Sequence, residues 1–233
     1  MQLAQATVLI TGANRGIGLA FAREALARGA RRVYAAARDP ASVSLPGVYP
    51  IALDVTDPEQ VARAARDCGD VDVLINNAGI AATGGFLDDP TLETTRRQFE
   101  TNFFGMLRMA QAFGPVLARN GGGAMLNVLS IASWINRPLL GTYGASKSAA
   151  WALTNGLRHE LRAQGTQVSA LHMGFVDTDL TRGIEMPKST PEAIVRAALD
   201  GLEAGVLEIL ADEATRQVRQ SLASDSPAYL APL

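Results

Sequence analysis

Lysine is nearly missing from this chain. Lys147 and Lys188 are the only two in 233 residues, and the rest of the 21 Lys+Arg residues are arginine. Cysteine is scarcer still. Cys68 is alone, which excludes an internal disulfide and fits a reducing cytoplasm. With no histidine near it in sequence, Cys68 reads as a small core residue rather than a nucleophile. Histidine occurs twice, as His159 and His172, and with one cysteine this gives no cluster of metal-ligand spacing, so no metal is expected. No Gly-x-Ser-x-Gly elbow occurs either. Any proton chemistry must come from something other than histidine triads or zinc.

Excess charge is also lacking. A formal net charge of -2 gives no basic surface for a phosphate backbone, which excludes nucleic acid as an expected partner. No apolar run approaches the roughly 18 residues of a membrane span, so no membrane partner is expected. The opening MQLAQATVLITG has no charged n-region and polar residues interrupt it, so it is not expected to be a signal peptide.

What is present is alternation. Apolar runs of strand length fall at 6–11, 32–37, 48–53, 71–76, 124–130, 167–172 and 206–210. They are nearly continuous, as parallel strands covered on both faces require. Helix-period segments lie between them at 17–30, 58–69, 92–120, 143–165 and 191–205. Asp57 before Pro58 and Thr190 before Pro191 read as N-caps with proline at the first helical position. Gly29, Gly121 and Gly165 follow helical segments, where a left-handed residue is wanted. Repeated strand–helix–strand units predict an α/β protein, one doubly wound parallel sheet of about seven strands in a single domain spanning 1–233.

TGANRGIG (11–18) sits where the first strand turns into a helix, the place for a phosphate in such a sheet. Gly12 permits the tight turn, Gly16 lets the backbone approach a pyrophosphate, and Gly18 lets the helix pack on the strand. The spacing is Gly-x-x-x-Gly-x-Gly, so the general dinucleotide fingerprint applies by analogy. The second strand ends in Ala37, with Arg38 just beyond. Arg38, helped by Arg15, could grip a 2′-phosphate, which favours NADP. Asp39 could instead serve the ribose of NAD, or cap a short turn before Pro40.

LLGTYGASKSAA (139–150) spends one of the two lysines one helical turn after Tyr143. Residues four apart on a helix share a face, about 5–6 Å apart at Cβ. An ammonium beside a phenol favours the phenolate, bringing a group with an ordinary pKa of about 10 toward neutrality. Lysine's compact charge can also reach ribose hydroxyls that a rigid guanidinium fork fits poorly.

Taken in order, TGANRGIG at 11, LDV at 53, NNAG at 76, Asn102, LSIAS at 129 and YGASK at 143 resemble the short-chain dehydrogenase/reductase family over nearly the whole chain. The resemblance implies a Rossmann-type fold and an NADP-dependent oxidoreductase acting on CH-OH or C=O. It implies that Gly12, Asn14, Arg15, Gly16, Ile17 and Gly18 form the pyrophosphate loop. Asp54 and Val55 flank the adenine, Asn77, Ala78 and Gly79 lie beside the ribose, and Gly174, Val176 and Thr178 face the carboxamide. It makes Tyr143 the general acid/base and Lys147 its neighbour on the cofactor. Ser130 is assigned to the substrate oxygen, with Ser133 as a competitor, and Asn102 holds a water that links Lys147 to solvent. One departure is Met173-Gly174 where the family usually has Pro-Gly. The stretch after Leu180 is short, so a small lid is expected.

Phe86, Trp134, Leu139, Leu140, Met173 and Phe175 are candidate pocket residues and favour an apolar ketone, aldehyde or secondary alcohol. Apolar positions on several sides of 91–119 and 143–164 suggest, with the family, a homodimer or homotetramer. Two other readings remain open: an NAD-linked alcohol dehydrogenase, and a cofactor-sensing regulator without turnover.

Overall fold

A computed structural model of the chain describes residues 1–88 and 91–230. It is an α/β structure built on one seven-stranded sheet, with every strand pair parallel. In chain order the main elements are β1 (Thr7–Thr11), α1 (Gly16–Ala27), β2 (Arg32–Ala37), β3 (Tyr49–Ala52), α2 (Pro58–Asp67) and β4 (Val73–Asn76). They continue with α3 (Thr91–Phe99), α4 (Met106–Arg119), β5 (Ala124–Val128), α5 (Gly141–Glu160), β6 (Gln167–His172), α6 (Pro191–Glu203), β7 (Glu208–Leu210) and α7 (Glu213–Ser221).

The strand order is β3-β2-β1-β4-β5-β6-β7. The chain winds outward one way from β1 and the other way from β4, so the crevice between their carboxyl ends is the natural ligand site. Alternating side chains supply both faces of the sheet. Val8 and Ile10 pack under α1 and α6 with Phe21, Ile194 and Leu202. Leu9 and Leu74 face the other way, onto Met109, Phe113 and Leu157 of α4 and α5. Strands buried on two sides must be apolar throughout, which is why their runs were continuous in the sequence.

The punctuation has its physical basis. Asp57 accepts from the Glu59 and Gln60 amides, and Thr190 accepts from Ala193, each with proline next. Gly29, Gly121 and Gly165 all take positive φ. One helical prediction is corrected. The segment expected as a single helix over 92–120 is two α-helices joined by a π-helical turn, Glu100–Gly105, in which Asn102 is buried. Gly105 lets this turn pack closely on Val55: a Cβ there would lie 2.7 Å from Val55 Cγ2. The short polar helix α7 had no counterpart in the sequence reading.

Candidate active site

The glycine loop after β1 is held open by its own backbone. Gly12 (φ +66°) and Gly16 (φ +53°) adopt the left-handed region. A Cβ on Gly18 would sit 2.1 Å from the Gly12 carbonyl oxygen, so α1 could not start here with any larger residue. Thr11, which the sequence reading passed over, fastens the loop to β4: its Oγ1 accepts from the Asn77 and Ala78 amides, both at 2.9 Å. Asn77 Nδ2 in turn donates to the Thr11 carbonyl at 2.8 Å.

Around this loop lies a cavity of about 1310 Å³. Its floor is Gly12, Asn14, Arg15, Gly16, Ile17 and Gly18. One wall is Arg38 with Asp54 and Val55, and another is Asn77, Ala78 and Gly79. Tyr143, Lys147, Met173 and Thr178 close the end beyond β5 and β6. Such a cleft, long and glycine-floored beside a helix N-terminus, fits a dinucleotide. Asp39 caps the 3-10 turn Pro40–Ser42, its Oδ1 accepting from the Ala41 amide at 3.0 Å, and it also lines the cleft. Arg15 pairs with Asp179 across the cleft at 3.3 Å, both side chains largely exposed.

Tyr143 lies in the first turn of α5, and Lys147 one turn on, with Nζ 5.8 Å from the centre of the phenol ring. Lys147 is buried, and its Nζ donates to the Val128 carbonyl at 2.8 Å. The Ser130 hydroxyl lies beside the Tyr143 phenol and draws its titration downward, while accepting from the Ala132 amide at 3.1 Å. Ser133 is turned away, its hydroxyl buried without a protein partner and its carbonyl accepting from Ser148. The titration of the pair differs from the sequence expectation. Burial pushes Tyr143 up to about 12, with the Ser130 hydroxyl acting the other way. Burial brings Lys147 down to about 8. Without a cofactor's charge, desolvation outweighs any pull of the ammonium on the phenol, and the tyrosine is held as a proton donor.

Asn102 is buried, and both its N–H groups are engaged, with the Ile80 carbonyl and Ser146 Oγ at 2.9 Å each. Its Oδ1 accepts from the Ile80 amide at 2.9 Å. A water bound here could use only the remaining lone pair on Oδ1. That oxygen does face the right way: it and Lys147 Nζ border the same space beside Gly79, 3.2 and 3.7 Å from where a Cβ would stand.

The loops beyond the cleft carry the remaining candidates. Of the six pocket candidates, Met173 lines the cleft, whereas Phe86, Trp134, Leu139, Leu140 and Phe175 are not part of its lining. Phe86 and Leu139 are exposed, and the two loops are tied by the Gly84 amide to the Leu139 carbonyl at 2.9 Å. Gly174 donates its amide to Asp212 at 2.7 Å, and Val176 bridges to Ser189. Phe175 is half-buried and accepts at its carbonyl from the Ser189 amide. Thr178 faces Gly16, its Cγ2 3.4 Å from where a Cβ would stand. Trp134 departs from expectation: its ring stacks on His172 with centroids 3.9 Å apart and meets Trp151 edge-on, a position in the packing behind the catalytic loop. No group of side chains that could hold a metal ion occurs among the described residues, and no described helix is long and apolar enough to cross a membrane.

Residues 6–188 match the model of the short chain dehydrogenase family. The chain belongs to the short-chain dehydrogenase/reductase family of oxidoreductases, whose members act on CH-OH and C=O groups. It is 38% identical to a short-chain dehydrogenase from Burkholderia cenocepacia J2315 solved in complex with NADP, with a TM-score of 0.95 and all of both chains covered. A second solved relative, from Burkholderia phymatum in complex with NAD, shares the fold at 23% identity and a TM-score of 0.87, covering 100% of this chain and 99% of that one. The bovine dehydrogenase/reductase SDR family member 7B is 34% identical over 194 residues, 76% of this chain, which spans 59% of that relative's length.

Proposed function

We propose that this chain reduces an apolar ketone or aldehyde with NADPH, and in reverse oxidises the secondary alcohol. The observation that carries the reading is the convergence of Tyr143, Ser130 and Lys147 at the end of a glycine-floored cleft large enough for a dinucleotide. When bound there, the nicotinamide cofactor supplies the hydride. The protein's part is position and protons. Ser130 orients the carbonyl oxygen and bears part of its developing charge. Tyr143, protonated at neutral pH, donates its proton to that oxygen. Lys147 then supplies charge to the phenolate left behind, and the Oδ1 of Asn102 offers a route for a replacement proton.

Arg38, just past β2, and Arg15 border the cleft, and Asp39 spends one carboxylate oxygen on capping its turn; this arrangement supports a 2′-phosphate. The NADP held by the 38%-identical relative points the same way. Arg38→Asp is expected to raise the KM for NADPH about tenfold or more while changing that for NADH by less than about threefold. Initial rates with both cofactors check this; equal changes for the two would remove the 2′-phosphate role.

We also propose a homodimer or homotetramer formed through α3–α4 and α5. Met106 and Leu157 turn into the core, while Leu92 of α3 remains exposed. Sedimentation is expected to give two or four chains per particle, and Leu92→Arg to shift it toward one. A wild type that sediments as a monomer contradicts the proposal.

A further inference from the structure

His172 ends β6 and is fully buried, with neighbours on every side of its ring. Its Nδ1 lies 3.1 Å from the Ser130 carbonyl oxygen. A carbonyl can only accept, so Nδ1 carries hydrogen. Nε2 approaches Glu208 Oε2 at 2.9 Å, off the line of a straight hydrogen bond. Glu208, on β7, is itself braced: it pairs with Arg158 Nη1 at 2.7 Å and accepts from Trp151 Nε1 at 3.2 Å. The ring face is covered by Trp134, over whose indole Arg219 sits at 5.8 Å.

These contacts meet at the turn that carries the serine. Regular β5–β6 pairing ends at Val128 and Leu171, and two single bonds continue it: Leu129 amide to Leu171 carbonyl, and Ile131 amide to Met173 carbonyl. Between them the Ser130 carbonyl is received by the His172 side chain, and it also accepts from the Ser133 amide at 3.0 Å. The imidazole therefore holds Ser130 by its backbone and Trp134 by its ring face. The hydroxyl of the same serine meets Tyr143.

We propose that His172 is a positioning residue for the Ser130 hydroxyl. Packed between Trp134 and the Arg158-braced Glu208, it fixes the turn 130–134 through its Nδ1 bond to the Ser130 carbonyl and so places that hydroxyl beside the proton donor, touching no reacting atom itself. The inference rests on the roles given above to Ser130 and Tyr143.

Two substitutions separate its two nitrogens. Asparagine's amide nitrogen stands about where Nδ1 does, and glutamine's about where Nε2 does. His172→Asn, which can still donate to Ser130, is expected to keep kcat within about threefold of wild type, with acetophenone as the probe ketone. His172→Gln and the shape-matched, donorless His172→Leu are expected to lose about 10- to 100-fold in kcat with the KM for NADPH unchanged. If all three fall alike, in step with their melting temperatures, the residue only packs and the proposal is overturned. A readout that needs no turnover is available because the chain has two histidines. In wild-type protein carrying ¹⁵N-histidine and ¹³C-carbonyl labels, a scalar coupling across the hydrogen bond from His172 Nδ1 to the Ser130 carbonyl is expected. A wild type that reduces nothing would defeat the reductase reading and leave this coupling measurable; its absence would overturn the positioning role.

Discussion

Tyr143→Phe is expected to lower kcat for NADPH-dependent ketone reduction by about three orders of magnitude while leaving the Kd for NADPH within about twofold. The substitution removes one oxygen and keeps the ring, so the cleft retains its shape and Lys147 keeps its bond to Val128. What disappears is the group that Ser130 addresses and that burial holds protonated, up to about 12. Burial keeps the phenol protonated but makes it a weaker acid, so the charge of Lys147 and the negative charge gathering on the carbonyl oxygen have to draw its proton across. In the reverse direction the same proton has to leave, and the charge of Lys147 together with that of an oxidised nicotinamide favours its departure. Steady-state kinetics alongside calorimetric cofactor binding check the split between catalysis and affinity. A variant keeping a tenth of wild-type kcat would show that the proton comes from elsewhere.

The second large effect belongs to Lys147. Lys147→Met is expected to lower kcat about 100-fold and to raise the KM for NADPH about tenfold, because both the charge beside the phenol and a donor facing the cofactor cleft are lost. Lys147→Arg is expected to recover little. The ammonium sits in closed packing 2.8 Å from the Val128 carbonyl, and a planar fork of larger reach cannot place its charge there. The same residue leaves a mark on stability. Its folded pKa, down to about 8 through burial, lies below the unfolded value of about 10.4. Between those values the unfolded chain binds the extra proton, so the cofactor-free protein gains stability as pH rises through that window. Tyr143 acts oppositely: the folded chain keeps a proton that the unfolded chain loses above about 10, so stability declines from there toward about 12. Urea unfolding across this range is expected to show the rise in wild type and to lack it in Lys147→Met.

The parts of this molecule that were legible in the sequence are those where backbone geometry or reach dictates the residue. Gly18 admits no Cβ, and two-sided burial forces continuous apolar strands, so the loop and the sheet could be read directly. The pairing of Tyr143 with Lys147 follows from helical spacing alone. Asp39 signalled its capping role through the proline after it. What could not be read depends on contacts distant along the chain. The π turn at Glu100–Gly105 has no composition of its own, and the close packing of Gly105 on Val55 joins residues 50 positions apart. Trp134 looked like a pocket residue because its neighbours in sequence are catalytic, yet β6 and β7 bring His172 and Glu208 behind it. The effect of burial on Tyr143 and Lys147 was likewise invisible, since spacing gives their proximity and not their desolvation.

Transfer of deuterium from NADPH labelled at the nicotinamide C4 position, followed by mass spectrometry of the alcohol formed from an apolar ketone, addresses the central claim most directly. The account predicts one deuterium on the carbinol carbon with wild-type protein and almost none with Tyr143→Phe. Tight cofactor binding with no label in any product, across a broad set of ketones and aldehydes, would contradict it.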